Sequence, residues 1–364
     1  MAKYNLTRLA VKAVYPTNDV IVDDKECPSI HVYIPKFKNS DVFSLGSSDT
    51  HPAFIVNGKE IDGFWFSKYQ NVENGGRAYS LPCEDPRASV NFDTSRGFCE
   101  AKGTGWHITT NAEWAAVALW CKKNGFLPYG NNNNGKDARE TQYLAIPTYK
   151  DSSNGKTCRV ATGTGPVTWS HNKQPDGIWD LNGNVSEWVG GLRFVYGEVQ
   201  ILENNNAADK NNSQAANSAC WKAIDATTGN LITPNGNGTT ENSVKCDYIS
   251  GKWTYTKDGL TSKEDSARYC PFASVVCDGT IGDKAKELLI ALCLCPDGSE
   301  ASTYENDYFY LNNGVAERFV YRGGGWGNGS YAGVFFLSAS NPRTGAGTSV
   351  GFRSAFIEGL ETDN

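Results

Sequence analysis

The stretch DGIWDLNGNVSEWVGG, residues 176–191, sets an aspartate, a Gly-Asn-Val turn and a Glu-Trp pair at fixed spacing. It is a specific phrase, and the text around it breaks into short elements. Upstream, FIVNGKEIDGFWFSKYQN (54–71) reads as a hairpin with Asn57-Gly58 as its turn. NFDTSRGFCEAKGTG (91–105) offers an N-cap at Asp93 or Thr94, apolar spacing and a closing glycine, so a short helix is expected. The clearest helix is TTNAEWAAVALWCKKNG (109–125), capped by Thr110 or Asn111 and ended by Gly125. Its Trp114, Val117, Ala118 and Cys121 share one face, which should cover a sheet. PYGNNNNGKDA (128–138) reads as a polar loop.

Toward the N-terminus, AVKAVY (10–15) and SIHVYIPKF (29–37) alternate apolar and polar residues, as short strands do. Residues 1–45 are therefore expected to form a β-rich segment that need not share a domain with the rest of the chain. Downstream, 197–300 is rich in Asn, Ser, Thr and Gly and reads as a long loop-rich insertion. It carries strands such as GKWTYTKDG (251–259) and one helix, DKAKELLIALCLC (283–295). Strand-like text resumes at DYFYLNNGVAERFVYRGGGW (307–326).

At 364 residues the chain is long enough for one large domain or two ordinary ones. A net charge of −6 argues against a nucleic-acid or anionic-membrane partner. Ten Trp, 38 Gly and a single Met suggest a loop-rich fold pinned by buried rings. MAKYNLTRLAVKAVYPTNDV at the start has no apolar run of signal-peptide length, and nowhere do eighteen apolar residues run together. The eleven cysteines are scattered without a C-x-x-C pair and read as reduced thiols of a protein made in the cytoplasm, not as a zinc site. His31, His51, His107 and His171 show no ligand spacing and read as structural.

GWGNGSYAGVFFLSASNPRTGAGTSVGF (325–352) poses a separate question. Lys, Glu, Gln, Met and Trp, common elsewhere in the chain, are absent from all 23 positions 327–349. Small side chains build neither a catalytic constellation nor a large core, but they suit an exchangeable surface on a rigid scaffold. Tyr, Ser, Gly and Asn are the residues of adaptable binding loops. Tyr331 and Phe336 would be the ring anchors. Gly325, Gly327, Ser330, Ser338, Ser340, Asn341, Thr344, Ala346 and Thr348 complete the expected face, while Trp326, Ala332, Val334, Leu337, Val350 and Phe352 would turn to the core.

Four pieces carry a family resemblance, in order along the chain. DGFWFSKYQN (62–71), GWHITTNAEWAAVA (105–118), the 176–191 phrase and YRGGGW…GFRSAF (321–356) resemble elements of proteins related to the formylglycine-generating enzyme. The resemblance covers roughly 52–196 and 305–356. It implies an α+β, C-type-lectin fold over 46–364, with the insertion at about 197–300 and a variable region at about 325–349. In the enzyme two cysteines follow the Gly-rich tryptophan and hold copper. Here Asn328 and Gly333 stand at their places, and neither is a nucleophile or a soft ligand.

The chain instead resembles a diversity-generating retroelement variable protein. Such a protein has adenines of Asn codons replaced at random, a process that cannot yield Lys, Glu, Gln, Met or Trp. The resemblance implies no enzyme activity and no cofactor except calcium, for which Asp180, Gly183, Val185 and Glu187 resemble the family's binding turn. The competing expectation is that Glu187 pairs with a buried arginine, Arg322 or Arg353. The implied partner is a protein or glycan receptor on a target cell. With no export signal, the implied place is a phage tail, attached to other tail proteins through residues 1–45, or a cell surface. The rival readings are an oxidase-type enzyme on the same fold and a fixed-specificity carbohydrate-binding module.

Overall fold

The computed structural model describes residues 3–360. Two sheets enclose one large apolar core. The smaller has five strands in the order Asn18–Val22, Pro28–Pro35, Gly63–Ser67, Ser354–Phe356, Trp106–Ile108. The larger has twelve. Its spine runs Arg268–Pro271, Tyr308–Leu311, Gly333–Asn341, Arg318–Gly323, Ser186–Val195, Glu198–Ile201, Lys245–Ile249, Lys252–Thr256, Val276–Cys277. Val350–Phe352 lies parallel beside the start of Ser186–Val195.

The helix Asn111–Lys123 packs in the core, and ten of its side chains are buried. Thr110 caps it, accepting from the Glu113 N–H, while Glu113 accepts in return from the Thr110 N–H. Trp114, Val117, Ala118 and Cys121 are buried as the spacing suggests. The hairpin also forms as read, because Asn57 and Gly58 both take positive φ (50° and 74°), the requirement of a two-residue turn between right-twisted strands. The helix Phe92–Glu100 forms one step earlier than expected: Asn91, not Asp93 or Thr94, is the cap, its Oδ1 accepting from the Thr94 N–H at 2.9 Å.

The N-terminal reading needs correction. AVKAVY falls largely in a helix, Asn5–Val14, whose Arg8 and Lys12, one turn apart, both reach Asp19 and tie it to the first strand. Nor do residues 18–35 stand apart. His31–Pro35 pairs with Gly63–Ser67, and Val32 and Ile34 enter the main core. The insertion is likewise no loose appendage. Seven of the twelve strands of the larger sheet come from 197–300, and Trp221, Trp253 and Tyr255 are almost wholly buried there. Its helix spans Asp283–Ala291.

If the insertion is part of the core, Trp253→Ala should destabilise the whole chain by about 3–5 kcal/mol, as a large ring deletion does. Thermal unfolding followed by near-UV and far-UV circular dichroism should remain one coincident transition. Two separated transitions would show that 197–300 folds by itself.

Candidate binding face

The strand Gly333–Asn341 runs between Tyr308–Leu311, to which it is parallel, and Arg318–Gly323, to which it is antiparallel. Because side chains alternate across a strand, its inward residues Leu337 and Ala339 join the core beside Phe309 and Leu311. Phe335 stacks on Phe272 at 5.2 Å. The other face carries Phe336, Ser338 and Ser340. Register places Tyr269 opposite Tyr310, Tyr310 opposite Ser338, and Ser338 opposite Tyr321. One row thus crosses four strands, with the small Ser338 between two tyrosines.

Around this row the rings form a continuous array. Tyr331 stacks on Tyr308 at 4.0 Å, Tyr269 lies 5.2 Å from Tyr310 and 5.6 Å from Tyr308, and Phe336 lies 5.5 Å from Tyr310. Tyr269 and Tyr331 are 54% and 40% exposed, large values for rings in van der Waals contact with their neighbours. Burial raises the Tyr310 hydroxyl to about 12, so it stays protonated and can donate at neutral pH. Beside the rings lies a polar strip. The Ser338 and Ser340 hydroxyls bond each other at 2.8 Å, and the Asn341 amide donates to the Tyr321 hydroxyl at 2.8 Å.

Phe336 is not the exposed anchor its position suggested. It is only 3% exposed, as is Ser338, because neighbouring tyrosines cover both. Conversely, Tyr269, Tyr308 and Tyr310 were not singled out from the sequence. The signal for two of them was present in YFYL (308–311), whose alternation puts Phe309 in and both tyrosines out.

The turn before the strand has fixed and free positions. Ala332, Val334, Leu337 and Phe352 are buried as expected, whereas Trp326 and Val350 are only half-buried. Trp326 lies on the surface because its ring packs edge-on against Tyr149, at 6.4 Å, rather than beneath the sheet. Gly325 is buried; Gly327 and Ser330 are exposed. Asn328 closes the turn by accepting from the Gly325 N–H at 2.8 Å. At Gly333 a Cβ would run into the Asp307 carboxylate, which accepts from the Phe335 N–H at 2.8 Å. Both places at which the enzyme family holds copper are therefore backbone-fitting positions.

After Asn341 the chain loops back through 342–349. The scaffold grips this loop by its backbone: the N–H groups of Ser89, Phe92 and Ser186 donate to the carbonyls of Gly347, Arg343 and Ser349. Arg159 donates to the Thr348 carbonyl at 3.0 Å. One side chain is also held, Arg343, which reaches Glu317, Asp93 and the Gln214 carbonyl. Thr344, Ala346 and Thr348 project into solvent. Main-chain anchoring leaves side chains free to change without cost to the fold.

The four residues expected to hold calcium do converge, but not on an ion. The carbonyls of Asp180, Gly183 and Val185 and the Glu187 carboxylate all accept from one atom, Gln70 Nε2, at 3.1, 3.3, 2.9 and 3.0 Å. The Asp180 carboxylate points elsewhere, to the Gly163 N–H, and burial raises it to about 6. Glu187 is also doubly bound by Arg353, at 2.8 Å to each oxygen, so Arg353 is its arginine partner. Arg322 goes instead to Asn111 and the carbonyls of Leu292 and Cys293. Among the described residues no group of three or more His, Cys, Asp or Glu is placed to hold a metal. The turn does not fit calcium because a side chain fills its centre.

Fixed and exchangeable positions should separate in stability. Thr344→Ala and Thr348→Ala should each change it by no more than about 0.5 kcal/mol. Gly333→Ala should cost about 2 kcal/mol or more, since backbone or Asp307 must shift. Similar losses of melting temperature for all three would sink the division.

No family model matches the chain, and no curated protein matches it. Among solved structures it is similar to Treponema denticola variable protein 1, at 12% identity and a TM-score of 0.33, covering 94% of this chain and 99% of that one. It is similar to PvdO from Pseudomonas aeruginosa at 12% identity and a TM-score of 0.31, covering 93% and 97%. It is also similar to the Major Tropism Determinant P3c variant, at 10% identity and a TM-score of 0.29 over 90% of this chain. The chain spans 62% of the length of that determinant.

Proposed function

We propose that the chain is a non-enzymatic binding protein whose retroelement-diversified C-terminal face recognises a protein or glycan on a target-cell surface. The observation that carries this reading is the row Tyr269–Tyr310–Ser338–Tyr321. It sets a position from a segment free of Lys, Glu, Gln, Met and Trp between fixed aromatic neighbours. The rings offer a large contact area at the cost of two side-chain torsions each. Exchange at Ser338, Ser340 and Asn341 would reshape the floor between them, and exchange at Thr344, Ala346 and Thr348 would alter the adjoining loop. Placement on a phage tail, with the N-terminal segment as the attachment end, or alternatively on a cell surface, belongs to the same proposal.

An oxidase on this fold is disfavoured by the residues themselves. Asn328 caps a turn and Gly333 abuts a carboxylate, so neither site offers a thiol. Incubation with a cysteine-containing sulfatase peptide and copper should give no formylglycine above a no-protein control.

The direct test has a genetic and a binding arm. Neighbouring DNA should contain a reverse-transcriptase gene and a near-copy of the 325–352 coding segment, differing at adenines. In pull-down of fluorescently labelled protein by target cells, Tyr331→Ala and Tyr269→Ala should each weaken binding by about 2 kcal/mol or more, a hot-spot loss. Their melting curves should stay near the parent's, because both rings are largely exposed. If both variants bind like the parent, the face lies elsewhere in the molecule.

A further inference from the structure

We infer that the Gln70 side-chain amide has taken over the work of a metal ion, so that the fold is held at its centre without calcium. The cage is built from oxygens alone. Three main-chain carbonyls and one carboxylate point inward within 3.3 Å of a single nitrogen. Gln70, Gly183, Val185 and Glu187 lie in the buried interior, where oxygens left without a donor or cation are costly.

The orientation of the amide follows from an unambiguous donor. The Val160 N–H can only donate, and it donates to Asn184 Oδ1 at 2.9 Å. Asn184 Nδ2 must then face Gln70, and it donates to Gln70 Oε1 at 2.9 Å. The nitrogen of Gln70 is left facing the four oxygens. That nitrogen carries two hydrogens shared among four acceptors, where a divalent cation would satisfy all four at once. The charge is balanced elsewhere: Glu187, the one ionisable group in the cage, takes its cation from Arg353. A divalent ion would add positive charge beside a guanidinium already paired, so the amide is the better tenant.

Gln70 reaches the cage from 110 residues upstream of Asp180, and Asn71, next to it, bonds the backbone of Phe352 and Ser354. The amide therefore does a further job of a metal, tying distant parts of the chain together. It joins the turn after Trp179 to the strands that flank the end of the variable segment.

The test needs the whole chain and the metal alone. The parent protein should melt at the same temperature, within about 1 °C, in excess EDTA and in millimolar calcium. It should also carry no calcium by elemental analysis after purification in calcium-containing buffer. Gln70→Glu replaces the donor with a second carboxylate, turning the cage into a set of hard oxygens. It should melt at least ~5 °C below the parent in EDTA, as buried oxygens lose their donor. Millimolar calcium, but not magnesium, should restore much of that loss, since calcium accepts irregular oxygen cages and magnesium does not. A parent stabilised by calcium or purified with it would overturn the inference. So would a Gln70→Glu protein as stable as the parent in EDTA and indifferent to calcium. Should that variant fail to fold under either condition, the parent's two melts and its metal content decide alone.

Discussion

The buried pair between Glu187 and Arg353 is the contact on which the rest of the structure depends. Glu187 sits at the start of the central strand of the larger sheet, and Arg353 comes directly after the short strand Val350–Phe352. Arg353 is fully buried and satisfied: it holds both carboxylate oxygens and donates also to the carbonyls of Ser67 and Trp179. An ion pair so placed adds little net stability over apolar packing, yet removing one partner strands a charge, which typically costs about 3–5 kcal/mol. It therefore fixes geometry more than it stabilises. The strand Val350–Phe352 can take only one register beside Ser186–Trp188, and that register sets where the preceding loop begins and ends.

That constraint produces a division of labour. The segment 325–349 is pinned at both ends and by its backbone, through Asn328, Gly333, Arg343 and the carbonyls of Gly347, Thr348 and Ser349. Between the pins, Val334, Phe335, Leu337 and Ala339 face the core, while the remaining side chains face solvent or the floor of the tyrosine array. The neighbouring strands supply Tyr269, Tyr308, Tyr310 and Tyr321, while 325–349 supplies Tyr331, Phe336 and the small residues between the rings.

How much of the molecule was legible in its sequence depended on how locally each feature is determined. The Asn57-Gly58 turn and the Thr110 cap depend on near neighbours, and both form as read. The in–out division of 332–341 was legible in part, since a two-residue period shows which residues share a face. It does not show which strand lies alongside. Tyr269, Tyr310 and Ser338 are adjacent only through long-range pairing, so Phe336 looked exposed when its neighbours cover it. Gln70 was hidden for the same reason: the four oxygens are encoded within eight residues, but the group that fills them lies far upstream. At the N-terminus AVKAVY alternates like a strand, yet it lies in a helix whose Arg8 and Lys12 meet Asp19, a partner the local pattern does not show.

The place of the last strand has a consequence for how such a protein is made. Ser354–Phe356 lies between Gly63–Ser67 and Trp106–Ile108, filling the gap in a sheet whose other strands are all synthesised before residue 109. Until the ribosome has passed residue 356, that sheet is missing an inner member, and until residue 353 Glu187 lacks its arginine. Long-range closure of this kind is slow and late. A chain cut short within 325–349 would lose the closing strand along with the face. The sheet therefore closes only on a chain read through to Phe356, so its completion reports that every residue before that point has been made.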